Sequence, residues 1–170
     1  MTKLHRLPTF NEDGELHVVV EASKGMTAKC KFDPELGAFV LGKPLPHGLV
    51  YPFDWGFIPS TCGEDGDPLD ALVIHDAACP VGCVIGCELI GVLPFEQKQI
   101  GMPAEKNDRY ICIPACDKAI RRDVLSARLK KELEQFFVAT TLGSGKGLTF
   151  GGWKDHRAAA KRLRKGQKKR

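Results

Sequence analysis

The 170 residues, 43% of them apolar and 27% charged, fit one domain with a packed core and exclude a disordered, collagenous or coiled-coil chain. No apolar run approaches the ~20 residues of a membrane-spanning helix, and 1–10, broken by His5, Arg6 and Pro8, lacks the apolar stretch of a secretory signal, so a soluble, cytoplasmic protein is expected. Charge is unevenly spread: 154–170 hold nine of the 25 Lys/Arg but one of the 21 Asp/Glu, which leaves 16 against 20 in 1–153. An acidic body with a basic tail argues against nucleic-acid binding over the whole surface.

The first two-thirds read as β-structure. Leu16 to Glu21, Thr27 to Phe32 and Ala38 to Leu41 are short alternating or β-branched runs, with turn signals at Lys24-Gly25, Asp33-Pro34 and Gly42. Ala71 to His75, Val84 to Leu93 and Arg109 to Ala115 continue the pattern, which predicts a closed or nearly closed antiparallel barrel. The aperiodic Pro/Gly/aromatic stretch 43–70 reads as a long functional loop. A long helix is expected over 124–138, where Leu125, Leu129, Leu133, Phe136 and Phe137 form one apolar stripe between a capping Asp123 and Gly143. A second, basic helix is expected from Trp153 to about Lys165. The division is thus a domain over 1–153 and a basic helix and tail over 154–170, the tail read as a solvated, frayed end. The class is α+β, mostly β.

Seven cysteines without C-x-x-C spacing indicate neither a disulfide framework nor a zinc ribbon, and they suit a reducing compartment. Cys79, Cys83 and Cys87 recur every four residues, but in a strand-like apolar run they read as buried small hydrophobes.

Chemistry concentrates in Glu64-Asp65-Gly66-Asp67-Pro68-Leu69-Asp70. Four carboxylates in seven residues repel one another unless a cation lies between them. Gly66 permits a tight turn, Pro68 fixes its path, and converging hard oxygens suit a divalent ion such as Mg²⁺. A solvated acidic turn is the alternative. An EF-hand is excluded, because Leu69 falls on a ligand position and Asp70 on the required glycine. Upstream, Glu21, Lys29, Lys31 and Lys43 punctuate the early strands. Lysines facing a carboxylate loop suit a polyanion held with metal ions, although scattered surface lysines would give the same pattern.

Asp65 to Asp70, preceded by Val50-Tyr51-Pro52-Phe53-Asp54-Trp55-Gly56-Phe57-Ile58-Pro59, resembles the signature of the family I soluble inorganic pyrophosphatases. Val18 to Glu21, Lys29, Ile90 to Leu93, Leu133 to Phe137 and Gly152-Trp153 extend the resemblance over about 16–160. The resemblance implies an OB-like five-stranded antiparallel barrel with two outer helices, a homohexamer, and Mg²⁺-dependent hydrolysis of pyrophosphate to two phosphates. In that reading Asp65 and Asp70 bind metal, Glu21 supports it through water, and Asp67 accepts the proton of the metal-activated water. Lys29 and Lys43 hold phosphate oxygens, with Trp55 and Arg109 completing the substrate side.

The chain departs from the family pattern in several places. Lys31 stands where a second glutamate is usual, Lys43 replaces an arginine and Trp55 a tyrosine. Thr140-Thr141 take the place of a Tyr-Lys pair. Glu96 stands near one metal-binding aspartate, and Asn107-Asp108-Arg109 stand where Asp-Asp-Lys is usual, so the ligand's own position holds Asn107, and its neighbour Asp108 is the carboxylate expected to turn in to the metal. Two rival readings follow: a weak relative that binds metal and phosphates or acts on another phosphoanhydride, and an OB-type nucleic-acid module. With two Tyr and two Trp in all, the second lacks the aromatics for stacking bases.

Overall fold

The computed structural model describes residues 3–117, 119–120 and 122–167. Five strands form a barrel: β1 (Leu16–Ala22), β4 (Asp54–Phe57), β5 (Asp70–Val73), β9 (Arg109–Pro114) and β6 (Val84–Leu93), in the order β1-β4-β5-β9-β6, closed by pairing of β1 with β6. Closure leaves no free edge. One junction differs from the antiparallel expectation: β5 and β9 run parallel, with Asp70 beside Arg109 and Val73 beside Cys112. The long crossover from 74 to 108, which includes β6, makes a parallel pair possible.

Two further ladders lie outside the barrel. β2 (Ala28–Asp33) and β3 (Ala38–Pro44) form a hairpin. β7 (Phe95–Gln99) pairs with β8 (Glu105–Lys106) and with β10 (Lys146–Phe150). This second sheet escapes a periodicity reading because Glu-Gln-Lys-Gln over 96–99 carries no apolar alternation. Inside the expected loop 43–70, β4 escapes it too, since all four of its residues are buried and no period of two can appear. There Gly56 is obligatory: a Cβ would lie 2.0 Å from the Val19 carbonyl oxygen.

Alternation along the strands sorts side chains into two large apolar clusters, beside a smaller one of Val19, Phe32 and Phe57. Ala71, Val73, Tyr110 and Cys112 pack with Ala159 and Leu163 of α2 (His156–Gly166). Leu72, Ile111 and Ile113 pack with Leu133, Phe136 and Phe137 of α1 (Ala127–Thr140). Ser126 caps α1 by accepting from the Leu129 amide, while Asp123, the expected cap, lies in a separate 3₁₀ turn over Arg122–Val124. Asp155 caps α2 by accepting from the Ala158 amide at 2.9 Å.

The basic C-terminal helix shares a core with the barrel and is no appended tail. β11 (Lys154–Asp155) adds to β6, the Gly166 carbonyl accepts from the Cys62 amide at 2.7 Å, and Gln167 bridges Thr61. Lys168, Lys169 and Arg170 lie outside the described residues.

Candidate active site

The register of β5 against its two neighbours assembles a charged cluster at one end of the barrel. Asp70 faces Phe57 on β4 and Arg109 on β9. Its Oδ2 accepts from Arg109 Nη1 at 2.5 Å, and its Oδ1 accepts from Lys29 Nζ at 3.2 Å and Trp55 Nε1 at 3.3 Å. Lys29 Nζ also lies 2.7 Å from the buried Glu21 Oε2, as an ion pair. The Arg109 guanidinium packs 5.0 Å from the Trp55 ring centroid and 4.6 Å from that of Phe95, and it donates to Asn107 Oδ1.

Burial and pairing set the protonation of this cluster. Burial works against the Asp70 carboxylate, but Arg109 and Lys29 outweigh it and hold its pKa below the usual value. Burial raises the Glu21 carboxyl, with Lys29 opposing. Lys29 is raised despite burial because Asp70 and Glu21 flank it, whereas burial lowers Arg109 against the pull of Asp70. Tyr51, 6% exposed, is pushed up to about 12, chiefly by burial.

The acidic loop arrives from the other side. Gly66 adopts φ +83° at its tip. The Asp67 amide donates to Asp65 Oδ1 at 3.0 Å, and the Asp67 carbonyl accepts from the Gly63 amide at 2.7 Å, so the turn is closed by its own backbone. Both carboxylate oxygens of Asp67 lie 2.8 Å from Lys31 Nζ. Asp65 is raised, first by partial burial and then by the charges of Asp67 and Asp70. A cavity of about 290 Å³ opens beside the charged cluster, lined among others by Lys29, Lys31, Lys43, Trp55, Asp70 and Arg109.

Two expected metal ligands are not brought to this cluster. Residues 107 to 109 alternate, so Asn107 and Arg109 face Asp70 while Asp108 faces α2 and accepts from Arg162 Nη1 at 2.8 Å. Glu96 on β7 is exposed and stands opposite Lys106 of β8. With Asp108 and Arg162 it lines a different cavity, of about 260 Å³. The larger cleft, about 690 Å³, is lined by Gly63, Glu64 and Leu69 of the acidic loop, by Asp108 and by basic side chains of α2, while Lys29 and Asp70 do not line it. Sequence reasoning left two members of the cluster without a role. Tyr51 stood in the quoted motif, and Asn107 was passed over for the carboxylate next to it, although strand alternation with Arg109 was a signal for it.

A sequence profile of inorganic pyrophosphatases matches residues 18–170. The chain belongs to the inorganic pyrophosphatase family. It is 34% identical to the inorganic pyrophosphatase of Thermus thermophilus over 172 aligned positions, which cover 96% of this chain and 95% of that one. The Streptomyces coelicolor inorganic pyrophosphatase is 36% identical, with 82% of this chain and 85% of the relative covered. The crystal structure of the Thermus enzyme superposes with a TM-score of 0.85 at 33% identity, covering 96% and 95% of the two chains. The Helicobacter pylori inorganic pyrophosphatase superposes at 0.82 with 30% identity, covering 94% and 95%. The OB-like pyrophosphatase barrel with two outer helices is therefore the fold of this chain, and membership makes it a metal-dependent hydrolase. Among the described residues no helix is long and apolar enough to cross a membrane.

Proposed function

We propose that this chain hydrolyses inorganic pyrophosphate to two phosphates with Mg²⁺. The observation that carries the reading is one cavity in which Asp70 meets Lys29, Lys31, Lys43 and Arg109, with Lys31 reaching out to Asp67 of the carboxylate loop. The donors present fit the ion. Glu21, Asp65 and Asp70 are hard oxygen ligands, and Asp65 is raised by partial burial and then by the charges of Asp67 and Asp70, which a cation would relieve. Asp108 and Glu96, turned toward other partners, are left out of this ligand set. Bound Mg²⁺ would supply Lewis-acid stabilisation of charge on the phosphoryl oxygens.

The chain's own residues supply the rest. Lys29 and Arg109 neutralise Asp70 in the substrate-free cluster. A polyanionic substrate gives both cations new partners and frees the Asp70 oxygens. Lys43 adds a point charge at the rim, and the Trp55 ring holds the Arg109 guanidinium in place. Asp67, on the rigid turn, takes the proton from the attacking water, and Lys31 must first release it. Thr140 lines the same cavity and offers substrate a hydroxyl but no charge. A cytoplasmic location and self-association as a homohexamer belong to the same proposal, with light scattering as the check on assembly.

Phosphate release from pyrophosphate, with and without Mg²⁺, tests the reading. Mg²⁺-dependent release is expected. No release with either condition would favour the weak, phosphate-binding relative, a second reading supported by the Lys31 clamp on Asp67 and by Asn107 beside Arg109. The nucleic-acid reading has less support, because Tyr51, Trp55 and Tyr110 are buried in the apolar clusters and present no stacking platform. A salt titration of single-stranded DNA binding checks it.

A further inference from the structure

The opposite end of the β4–β5 ladder carries a second cluster of potential ligands. Asp54 pairs with Val73 in register, three positions along the ladder from Phe57 and Asp70, which places it roughly 10 Å from the charged cluster. Asp54 is fully buried and His75 is 6% exposed. His75 Nε2 lies 2.8 Å from Asp54 Oδ2, and the ligand atoms of Asp54, His75 and Cys79 all fall within 4.8 Å of one another. The expectation that Cys79 lacks a ligand-bearing neighbourhood thus changes, because the fold supplies Asp54 and His75 from outside the cysteine run.

We propose that Asp54, His75 and Cys79 form a binding site for a thiophilic divalent transition ion, Zn²⁺ by preference, separate from the carboxylate loop. One carboxylate oxygen, one imidazole nitrogen and one sulfur form a donor set that suits zinc and disfavours Mg²⁺. Bonds of about 2.0–2.3 Å hold tetrahedral ligands roughly 3.3–3.8 Å apart, which small side-chain rotations reach from the present spacing.

The surroundings are those of ligands already held in place. Asp54 Oδ1 accepts from the Lys24 amide and Oδ2 from the Cys79 amide, both at 2.8 Å, which fixes the carboxylate and leaves lone pairs for a metal. The Ser23 hydroxyl donates to the Cys79 carbonyl, so the segment after β5 is tied to the turn after β1. A cysteine–histidine nucleophile is disfavoured here. Burial, then Asp54 and Cys83, push the Cys79 thiol up to about 12, whereas a reactive cysteine needs a depressed value. On metal binding the thiol proton leaves to solvent, and the imidazole proton that faces Asp54 on Nε2 is given up while Nδ1 takes one, so that Nε2 is free for the ion. The ion would staple the turn after β1, the start of β4 and the segment after β5, behind the strands that carry Glu21, Trp55 and Asp70.

The test uses the full chain, stripped with chelator and titrated with Co²⁺ in excess Mg²⁺, so that oxygen-rich sites are already filled. A thiolate-to-cobalt charge-transfer band saturating at one equivalent is expected. Cys79→Ser should abolish it, Cys62→Ser beside the carboxylate loop should retain it, and Zn²⁺ should displace it while raising the Tm of wild type and Cys62→Ser but not of Cys79→Ser. No band in wild type, a band that survives Cys79→Ser, or one that depends equally on Cys62 overturns the proposal and leaves a hydrogen-bonded clamp.

Discussion

Replacing Asp70 by Asn tests whether the charged cluster is a balanced ionic unit. Within it, Asp70 and Glu21 offset Lys29 and Arg109, and the Asp70 side chain is 16% exposed. The amide keeps the shape and one acceptor oxygen but leaves two buried cations facing one anion. Removing one partner of a buried pair costs about 3–5 kcal/mol, and with one acceptor retained the lower end, about 3 kcal/mol, is expected. In urea, with a slope of about 2 kcal/mol per molar, the metal-free midpoint falls by about 1.5 M, followed by far-ultraviolet circular dichroism. Asp67→Asn is the internal control: its ion pair with Lys31 is more than half exposed on both sides, so the loss is at most about 1 kcal/mol. Because the folded pKa of Asp70 is depressed, its contribution is present above the ordinary carboxylate value and is lost as pH falls through the folded one. The gap between wild type and Asp70→Asn therefore closes in acid, below about pH 4. A midpoint shift no larger than that of Asp67→Asn, or a gap that widens in acid, refutes the balanced-cluster account.

The same Asp67→Asn variant should fold normally yet lose pyrophosphate hydrolysis by about 10²–10⁴-fold, as removal of a positioned base does; activity within a few-fold of wild type would sink that role. Asn107→Asp places a carboxylate beside Arg109 and should lower the Mg²⁺ needed for half-maximal activity, and adding Lys31→Glu should lower it further. Asp108→Asn should leave that Mg²⁺ requirement unchanged and reduce Tm through its lost bond to Arg162; the reverse pattern in the two titrations would put Asp108 on the metal. Removing 166–170 takes away the acceptor for the Cys62 amide, worth about 1 kcal/mol, so Tm should drop by about 2–4 °C, and an unchanged Tm would make the tail a bystander.

The barrel strands were legible where alternate burial leaves a period of two, as in the first half of 84–93, or where, as in 109–114, a run buried at every position is long and apolar enough to read as a strand. β4 was not, since burial on both faces erases the period, and the polar 96–99 strand offered none to find. α1 was legible from its stripe, but its start shifted from Asp123 to Ser126 because capping depends on where the chain turns and not on which oxygen-bearing residue comes first. In the site, the 64–70 carboxylates announced themselves by mutual repulsion. Their partners did not: that Lys29 reaches both Glu21 and Asp70, or that Asp54, His75 and Cys79 converge, depends on contacts across as many as 41 positions of chain. The choice between Asn107 and Asp108 turned on one step of strand register, which composition cannot report and a neighbouring arginine could.

The bond between Gly166 and Cys62 has a consequence for the order in which the protein comes into being. The turn carrying Asp65 and Asp67 is synthesised about a hundred positions before the residues that brace it. A chain made only as far as residue 160 already contains every strand of the barrel, the carboxylates and their lysines, yet the segment leading into the turn has no acceptor for its Cys62 amide and no partner for Thr61. The carboxylate turn therefore gains its brace only when the end of α2 is in place, the last part of the described chain to be made.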